Sequence, residues 1–269
     1  MPIKYKLDKT LVVGTTYQAP PDIGYLITEI GTDGSTDTKL VVDGRPTGPI
    51  TSEFAPLHKT SSNKLGPLKL GDLYYVIPPD RKFWVEGPAG AKLRIKGYIV
   101  KLMPGEAFPS DLLARFEEQH KKYITYIKDS YSVGTDTAWS NGVEYDVLEY
   151  TPKTIETVIL DNVVMAKVEN ASTTISEGQV GVRFYLDGSP LDHLTNDPGM
   201  KGIDIKAMPY PPADASEETP FTLSDTPITV LGDHTLKISM INVSGGDISP
   251  TSGNSLVLTV LAIVKYEQK

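Results

Sequence analysis

The chain has 269 residues, of which 39% are hydrophobic and 22% charged, with a net charge of −8 and no cysteine. This composition is typical of a globular protein, and it excludes disulfides, thiolate metal sites and cysteine nucleophiles. An acidic chain gains nothing from counterion release at a phosphate backbone, so we expect no nucleic-acid partner.

The first hundred residues read as a succession of short strands. Runs rich in β-branched and aromatic residues are separated by clusters of Gly, Pro and Asp, which is typical of β-structure. The runs are YLITEI at 25–30, TKLVVDG at 38–44, LYYVIP at 73–78, KFWVEG at 82–87 and AKLRIKGYIVKL at 91–102. In the last run, apolar Leu93 and Ile95 alternate with Arg94 and Lys96, which predicts a half-buried strand.

One amphipathic helix is predicted next, over residues 110–129. Its apolar positions have helical spacing: Leu112, Leu113, Phe116, Tyr123, Ile124 and Ile127. Ser110 is the expected N-cap, and Asp111 suits the positive end of the helix dipole. Two Glu–Lys pairs four residues apart, within residues 117–122, support the same helix.

The last part of the chain returns to strands. The runs are TVILDNVVMAKVEN at 157–170, QVGVRFYLDG at 179–188, FTLS at 221–224, PITVLGDHTLKISMINVS at 227–244 and NSLVLTVLAIVKYE at 254–267. Between them, residues 208–220 are rich in proline and acidic side chains, which predicts a surface loop.

The two halves of the chain share landmarks in the same order. Asp-Gly follows an apolar strand at residues 43–44 and again at 187–188, LGD recurs at 70–72 and 231–233, and IVK recurs near the end of each half. We therefore predict an internal duplication, with a β-sandwich domain at 1–104, a helix and linker at 105–150, and a second β-sandwich domain at 151–269. The Asp-Gly break is interpreted as one corner used twice, because both residues tolerate positive φ.

Candidate catalytic and metal-binding residues form no pattern. His58, His120, His193 and His234 contain no i,i+4 pair, so we expect solvated histidines and no zinc site. Motifs of serine hydrolases, phosphate-binding loops and dinucleotide-binding loops are absent from the sequence. We therefore assign no catalytic residue, cofactor or metal, and predict that the protein is not an enzyme.

Two acidic stretches contain oxygen ligands of the kind that calcium prefers. GTDGSTD supplies Asp33 and Asp37, and LDHLTNDPGMKGID supplies Asp192, Asp197 and Asp204. Neither stretch matches an EF-hand loop, and acidic turns without metal are commoner, so no calcium site is assigned.

Aromatic side chains are candidates for stacking on sugars: Trp84, Trp139, Tyr74, Tyr75 and Tyr98. Trp84 alternates with Phe83 and Val85 in a strand, which favours a core or interface role for at least one of the candidates. Asn170 and Asn242 match the glycosylation sequon, but no secretion signal accompanies them.

No exported or membrane-spanning segment is expected. The apolar part of the first thirteen residues is short and is interrupted by Asp8 and Lys9, unlike a signal peptide. The longest apolar run, LVLTVLAIV at 256–264, has nine residues, whereas a membrane span needs about 20. We expect a soluble chain without an export signal.

In layout, the chain resembles viral jelly-roll structural proteins. The resemblance lies in a short polar N-terminal arm, an Asp-Gly corner, the run LGDLYYVIPPDRKFWVEGPAGAKLRIKGYIVKL, a helix and a second similar unit. It covers most of the chain as architecture, and no family motif residue is carried over. It implies a mainly β fold with two tandem jelly-roll-like sandwiches and one connecting helix.

The same resemblance implies a virion structural protein, as a capsid, vertex spike or decoration subunit that assembles in the host cytoplasm. Its partners would be copies of itself and other virion proteins, with a host-surface glycan as a further possibility. The alternative from another class is a carbohydrate-binding, lectin-like tandem sandwich. A glycosidase with two acidic residues in a cleft ranks below both.

Overall fold

The strands predicted from the sequence dominate the computed structural model, which describes residues 3–59, 65–191, 194, 202–208, 210 and 222–269. By internal contacts, the chain divides into two units. The first holds Met1–Thr125 and Lys265–Gln268, and the second holds Tyr126–Val264 and Lys269.

The strands before the helix belong to the first unit. They are β1 (Ile3–Val12), β2 (Thr16–Gln18), β3 (Ile23–Thr32), β4 (Lys39–Val42), β5 (Arg45–Pro46), β6 (Leu68–Lys69), β7 (Tyr75–Ile77), β8 (Lys82–Glu86) and β9 (Lys92–Lys101). One sheet has the order β1-β9-β3-β6, with β7 also pairing with β3. Because β6 and β7 pair with successive parts of β3, they form one interrupted fourth strand. The other sheet has the order β2-β8-β4-β5.

The strands after the helix build the second unit, except that residues 122–125 and Lys265–Gln268 group with the first. They are β10 (Lys122–Thr135), β11 (Glu144–Tyr150), β12 (Glu156–Leu160), β13 (Val164–Glu169), β14 (Val180–Leu186), β15 (Ser189–Pro190), β16 (Ile203–Asp204), β17 (Ile228–Leu231), β18 (Leu236–Asn242) and β19 (Ser255–Gln268). One sheet has the order β10-β19-β12-β17, with β13 also pairing with β19. The other has the order β11-β18-β14-β15, with β16 also pairing with β14.

The two units repeat one topology. In each, the first strand pairs with the last, the last with the third, and the third with the sixth, when interrupted strands are counted once. The second strand pairs with the seventh, the seventh with the fourth, and the fourth with the fifth. Two four-stranded antiparallel sheets connected in this way form a jelly roll. The predicted fold class, two jelly-roll-like sandwiches with one helix, is confirmed.

Apolar residues from both sheets of each unit are buried. In the first unit they include Leu7, Leu11, Ile27, Leu40, Phe83 and Leu93, and in the second they include Val158, Val164, Phe184, Ile238, Leu258 and Val260. Aromatic pairs connect the sheets, with ring centroids 5.9 Å apart for Tyr25–Phe83 and 4.7 Å apart for Tyr131–Tyr145. The apolar run at 256–264 lies in β19, a central strand in which residues 258–264 are buried without alternation. This burial explains why the run is continuously apolar.

The repeated Asp-Gly landmark is the same turn in both units. Asp43 and Gly44 have φ of 52° and 78°, and Asp187 and Gly188 have φ of 50° and 77°. Two successive residues of positive φ define a type I′ turn, which here joins β4 to β5 and β14 to β15. The predicted role of these residues as one corner used twice is confirmed.

The two LGD segments, in contrast, do not correspond. The first lies between β6 and β7, whereas the second follows the end of β17. The residue that matches Asp233 is Asp80, because both have positive φ, 67° and 61°, and both precede the seventh strand of their unit. The shared LGD sequence does not mark equivalent positions. The feature that recurs in the two units is the backbone conformation of Asp80 and Asp233.

The helix α1 spans Ser110–Glu118 and is shorter than the predicted 110–129. Pro109 occupies the N-cap position that was predicted for Ser110. Residues 122–127, which were predicted to be helical, begin strand β10 instead, because the alternating run KYITYI suits a strand as well as a helix. The predicted Glu–Lys pairs are therefore absent from the helix, and Glu117 pairs with Arg45.

The predicted domain boundaries stay a prediction beside this division by contacts. Residues 105–125 group with the first unit and residues 126–150 with the second, so the segment predicted as helix and linker is shared between them.

Candidate assembly surfaces

Helix α1 closes one sheet edge of the first unit. β7 pairs on one side with β3. On its other side, the Val76 N–H donates to Gln119 Oε1 at 2.7 Å, and Gln119 Nε2 donates to the Val76 carbonyl at 3.1 Å. Gln119 is fully buried. Its amide therefore occupies the place that the peptide group of another strand would take.

Arg115 satisfies the carbonyl groups next to this edge. Its Nε donates to the Tyr74 carbonyl at 2.9 Å, and its second terminal nitrogen donates to the carbonyls of Leu73 and Lys122 at 3.0 and 2.8 Å. Burial lowers the pKa of Arg115 below its ordinary value, with nearby Tyr75 opposing the shift. A buried arginine with three carbonyl acceptors fixes α1 against the start of β10 and the approach to β7.

A second contact holds the helix at the corner of the same unit. Phe116 is buried, and the guanidinium carbons of Arg45 and Arg81 lie 5.3 and 5.9 Å from its ring centroid. Arg45 also forms a salt bridge with Glu117. These are cation–π distances, so the corner binds the helix through charge and packing together.

The two corner turns carry matching contacts. The backbone N–H of Asp43 donates to the Lys82 carbonyl at 2.8 Å, and that of Asp187 donates to the Thr235 carbonyl at 2.9 Å. The Asp43 carboxylate binds Arg81 at 2.7 Å, and the Asp187 carboxylate binds His234 at 2.6 Å. The contact with His234 holds the pKa of Asp187 below its ordinary value.

A partly buried polar network lies on the β11-β18-β14 sheet of the second unit. Glu144 accepts hydrogen bonds from Arg183 at 2.7 Å, from the Tyr185 hydroxyl at 2.5 Å, and from Ser239. Burial raises the pKa of Glu144, but these donors outweigh it, and the pKa is lowered overall. Burial and the bond to Glu144 raise the pKa of Tyr185 to about 12. All three neighbours donate to Glu144, while Arg183 Nε is buried without a hydrogen-bond partner, so the donors of the cluster converge on one carboxylate.

The predicted histidines remain apart. His58 contacts Arg94 at 2.6 Å, and His234 binds Asp187, so neither is merely solvated. His120 lies just beyond the end of α1, where burial and then Arg45 lower its pKa. His193 lies outside the described residues. Over the described ranges, no three His, Asp or Glu side chains are grouped as metal ligands would be.

Acidic candidates for calcium binding are used in backbone contacts. Asp33 accepts from the Lys92 N–H at 2.6 Å, and Asp204 accepts from the N–H groups of Gly178 and Lys206 at 2.5 and 2.8 Å. Asp37 is not grouped with them, and the predicted ligands Asp192 and Asp197 lie outside the described residues, as does most of the predicted loop at 208–220.

The aromatic candidates do not form one platform. Trp139 and Tyr75 are fully buried, and Trp84 and Tyr74 are half-buried. Tyr98 is the exposed member of the set, at 46%. The sequon residue Asn242 is also buried, and its amide donates to the carbonyls of Trp139 and Gly246.

Strands at the ends of sheets and exposed apolar side chains form the remaining candidate surfaces. β1 is the outermost strand of its sheet and carries Lys4, Lys6 and Lys9, a composition that discourages pairing of edges. Apolar or aromatic side chains that are more than a third exposed occur in both units: Tyr5, Val12, Tyr98, Met103, Leu113, Tyr131, Val143, Ile155 and Leu231.

Sequence reasoning did not identify Gln119, Arg115 or Glu144. Nothing in the local sequence marks them, because most of their partners lie about 40 or more residues away along the chain. Among the described residues, no helix is long and apolar enough to span a membrane.

Comparison with known proteins gives structural matches alone. No protein-family model and no curated protein sequence matches the chain. The major capsid protein P2 from Bacteriophage PM2 is 12% identical, over 98% of this chain and 97% of that chain, with a TM-score of 0.31. PBCV-1 VP54, as fitted into a reconstruction of the virophage Sputnik, is 10% identical over 100% and 96% of the two chains, with a TM-score of 0.35. A conserved protein of unknown function from Pseudomonas aeruginosa is 9% identical over 97% and 78%, with a TM-score of 0.21.

The matches thus include a viral major capsid protein, and the jelly-roll architecture on which the predicted resemblance rests is confirmed by the strand order of this chain. The TM-scores are below 0.5, so the fold is assigned from the strand order alone and not from these matches.

Proposed function

We propose that the protein is a virion structural subunit that works by self-assembly. The observation that supports this proposal is the repeated topology, two jelly rolls with one strand order in a single chain. Jelly rolls serve in viral capsids, lectins and cupins, and fold alone does not choose among them. The proposed partners are copies of the same chain and other virion proteins, and the proposed location is the virion, assembled in the host cytoplasm.

The aromatic candidates weigh against one of the alternatives. Exposed apolar side chains are spread over both units as single residues, which is ordinary for a protein surface and does not distinguish assembly from sugar binding. The lectin-like alternative has lost two of its five aromatic candidates to the core, Trp139 and Tyr75. The proposed role involves no catalytic step.

The test is the molar mass of the purified chain, measured by light scattering behind size exclusion over a wide concentration range. Self-assembly predicts discrete multiples of 29.3 kDa, or growth into particles visible by electron microscopy. A 29.3 kDa monomer at the highest concentration would contradict the proposal. Glycan binding by that monomer would establish the lectin-like alternative, and hydrolysis of chromogenic glycosides would establish a glycosidase.

A further inference from the structure

The β7 segment has the composition of a strand that pairs with copies of itself. Residues 73–77 read LYYVI, with no charge and high strand propensity, and Tyr75, Val76 and Ile77 are fully buried. Short uncharged segments of this kind add strands readily when an edge is open. Asp72 and Pro78 flank the segment, as charged and proline residues commonly do beside such strands.

Arg115 of α1 and Gln119, the residue directly after it, bind backbone groups of β7 and of the two residues before it. Gln119 binds both the N–H and the carbonyl of Val76. Arg115 binds the carbonyls of Leu73 and Tyr74. Both side chains are buried, so water does not compete for these bonds.

We propose that Gln119 and Arg115 block strand addition at β7, and that loss of the Gln119 amide opens this edge to residues 73–77 of a second copy. A second copy is the fitting occupant, because two uncharged LYYVI segments pair antiparallel without repulsion and with the same residues on both sides. The proposal is independent of a role in a virion, since it concerns the isolated chain.

The test compares Gln119→Met with Gln18→Met. Methionine has nearly the shape of glutamine but neither donates nor accepts the two bonds. Gln18 is exposed on β2 and provides the matched control. For Gln119→Met, the Val76 amide should exchange about tenfold faster than in the wild type. The molar mass of the variant should rise with concentration beyond the wild-type value. The associated chains should increase thioflavin T fluorescence or form a cross-link between the 73–77 segments of two chains. Gln18→Met should match the wild type in both readouts.

A folded Gln119→Met chain with wild-type exchange at Val76 and wild-type mass would overturn the proposal. If the variant does not fold, the wild-type chain supplies the deciding measurement. Amide exchange at Val76 and at Phe116 in α1 should then respond equally to low concentrations of urea, because opening of the helix exposes the edge. The proposal would be overturned if the Val76 amide exchanged only on global unfolding while the Phe116 amide in α1 exchanged faster.

This outcome is separable from that of the proposed function. Assembly of the wild type is judged from its own mass, whereas edge blocking is judged from the difference between the variant and the wild type at equal concentration.

Discussion

At the scale of single residues, three buried or partly buried polar side chains are each held by several partners. Glu144, Arg115 and Gln119 each make at least two hydrogen bonds, and most of their partners are distant in sequence. A buried polar group without partners costs about 1–3 kcal/mol, so removing one partner is more damaging than the net value of a hydrogen bond suggests.

Glu144→Gln should destabilise the second unit by about 2 kcal/mol at pH 7, because Arg183 loses its carboxylate partner. The folded-state pKa of Glu144 is lowered, so its ionisation contributes stability above the unfolded pKa of about 4.3, and that contribution is lost as the pH falls through the folded pKa. The difference in unfolding free energy between the wild type and Glu144→Gln should therefore shrink below about pH 4. Urea unfolding at pH 7 and at pH 3.5 measures this difference.

The matched control is Glu149→Gln, an exposed position on the same strand, where a change within about 0.5 kcal/mol is expected. Equal effects of the two substitutions, or a gap for Glu144→Gln that persists unchanged at pH 3.5, would contradict the account of the network.

At the scale of elements, the corners are the most faithfully repeated parts of the two units. Each combines a type I′ turn, a backbone bond to the start of the seventh strand, and an aspartate bound to a basic side chain. The partner differs, because it is the guanidinium of Arg81 in the first unit and the imidazole of His234 in the second.

Gly44→Ala and Gly188→Ala should each cost about 1–2 kcal/mol of unfolding free energy. A Cβ at either position meets no atom within 4 Å, so the cost comes from the positive φ alone. Gly246→Ala is the control, because its site is equally open but its φ lies outside the positive region. Chemical denaturation of the three variants measures the effect, and a Gly246→Ala cost equal to the other two would show that φ is not the cause.

How far the sequence predicts these elements depends on how local their causes are. Most of the predicted strands and both Asp-Gly corners follow from alternation and turn chemistry, which are local, and these are confirmed. The run FTLS at 221–224 contributes only an isolated bridge at Thr222, and β1, β10 and β11 were not predicted as strands. The predicted end of α1 was wrong. The run KYITYI fits a strand and a helix alike, and its pairing within a sheet makes it a strand. The contacts of Gln119 depend on a strand 43 residues away, and no local pattern reveals them.

At the scale of the whole molecule, assembly requires surfaces that are exposed in the single chain but apolar. Leu113 is 41% exposed on the outer side of α1, while Leu112 and Phe116 hold the helix to its unit. If the protein assembles as proposed, the outer face of the helix can take part in association while the inner face maintains the fold.

Leu113→Glu should leave the unfolding free energy within about 0.5 kcal/mol of the wild type but reduce the fraction of assembled protein. Light scattering at matched concentrations measures the second quantity, and urea unfolding measures the first. Ile155→Glu, 49% exposed and far from the helix in sequence, serves as the comparison. Unfolding of the Leu113→Glu chain, or an unchanged mass distribution, would count against the helix as an assembly surface.

The paired corners also show where the chain accepts extra length. Gly44 is separated from Asp80 by 36 positions and Gly188 from Asp233 by 45, a difference of nine, although the corners at both ends keep the same backbone conformation. The connection between them has changed in length without disturbing the frame. Insertion of a short peptide into this connection, outside β6, β7, β16 and β17, is therefore expected to leave both corners intact.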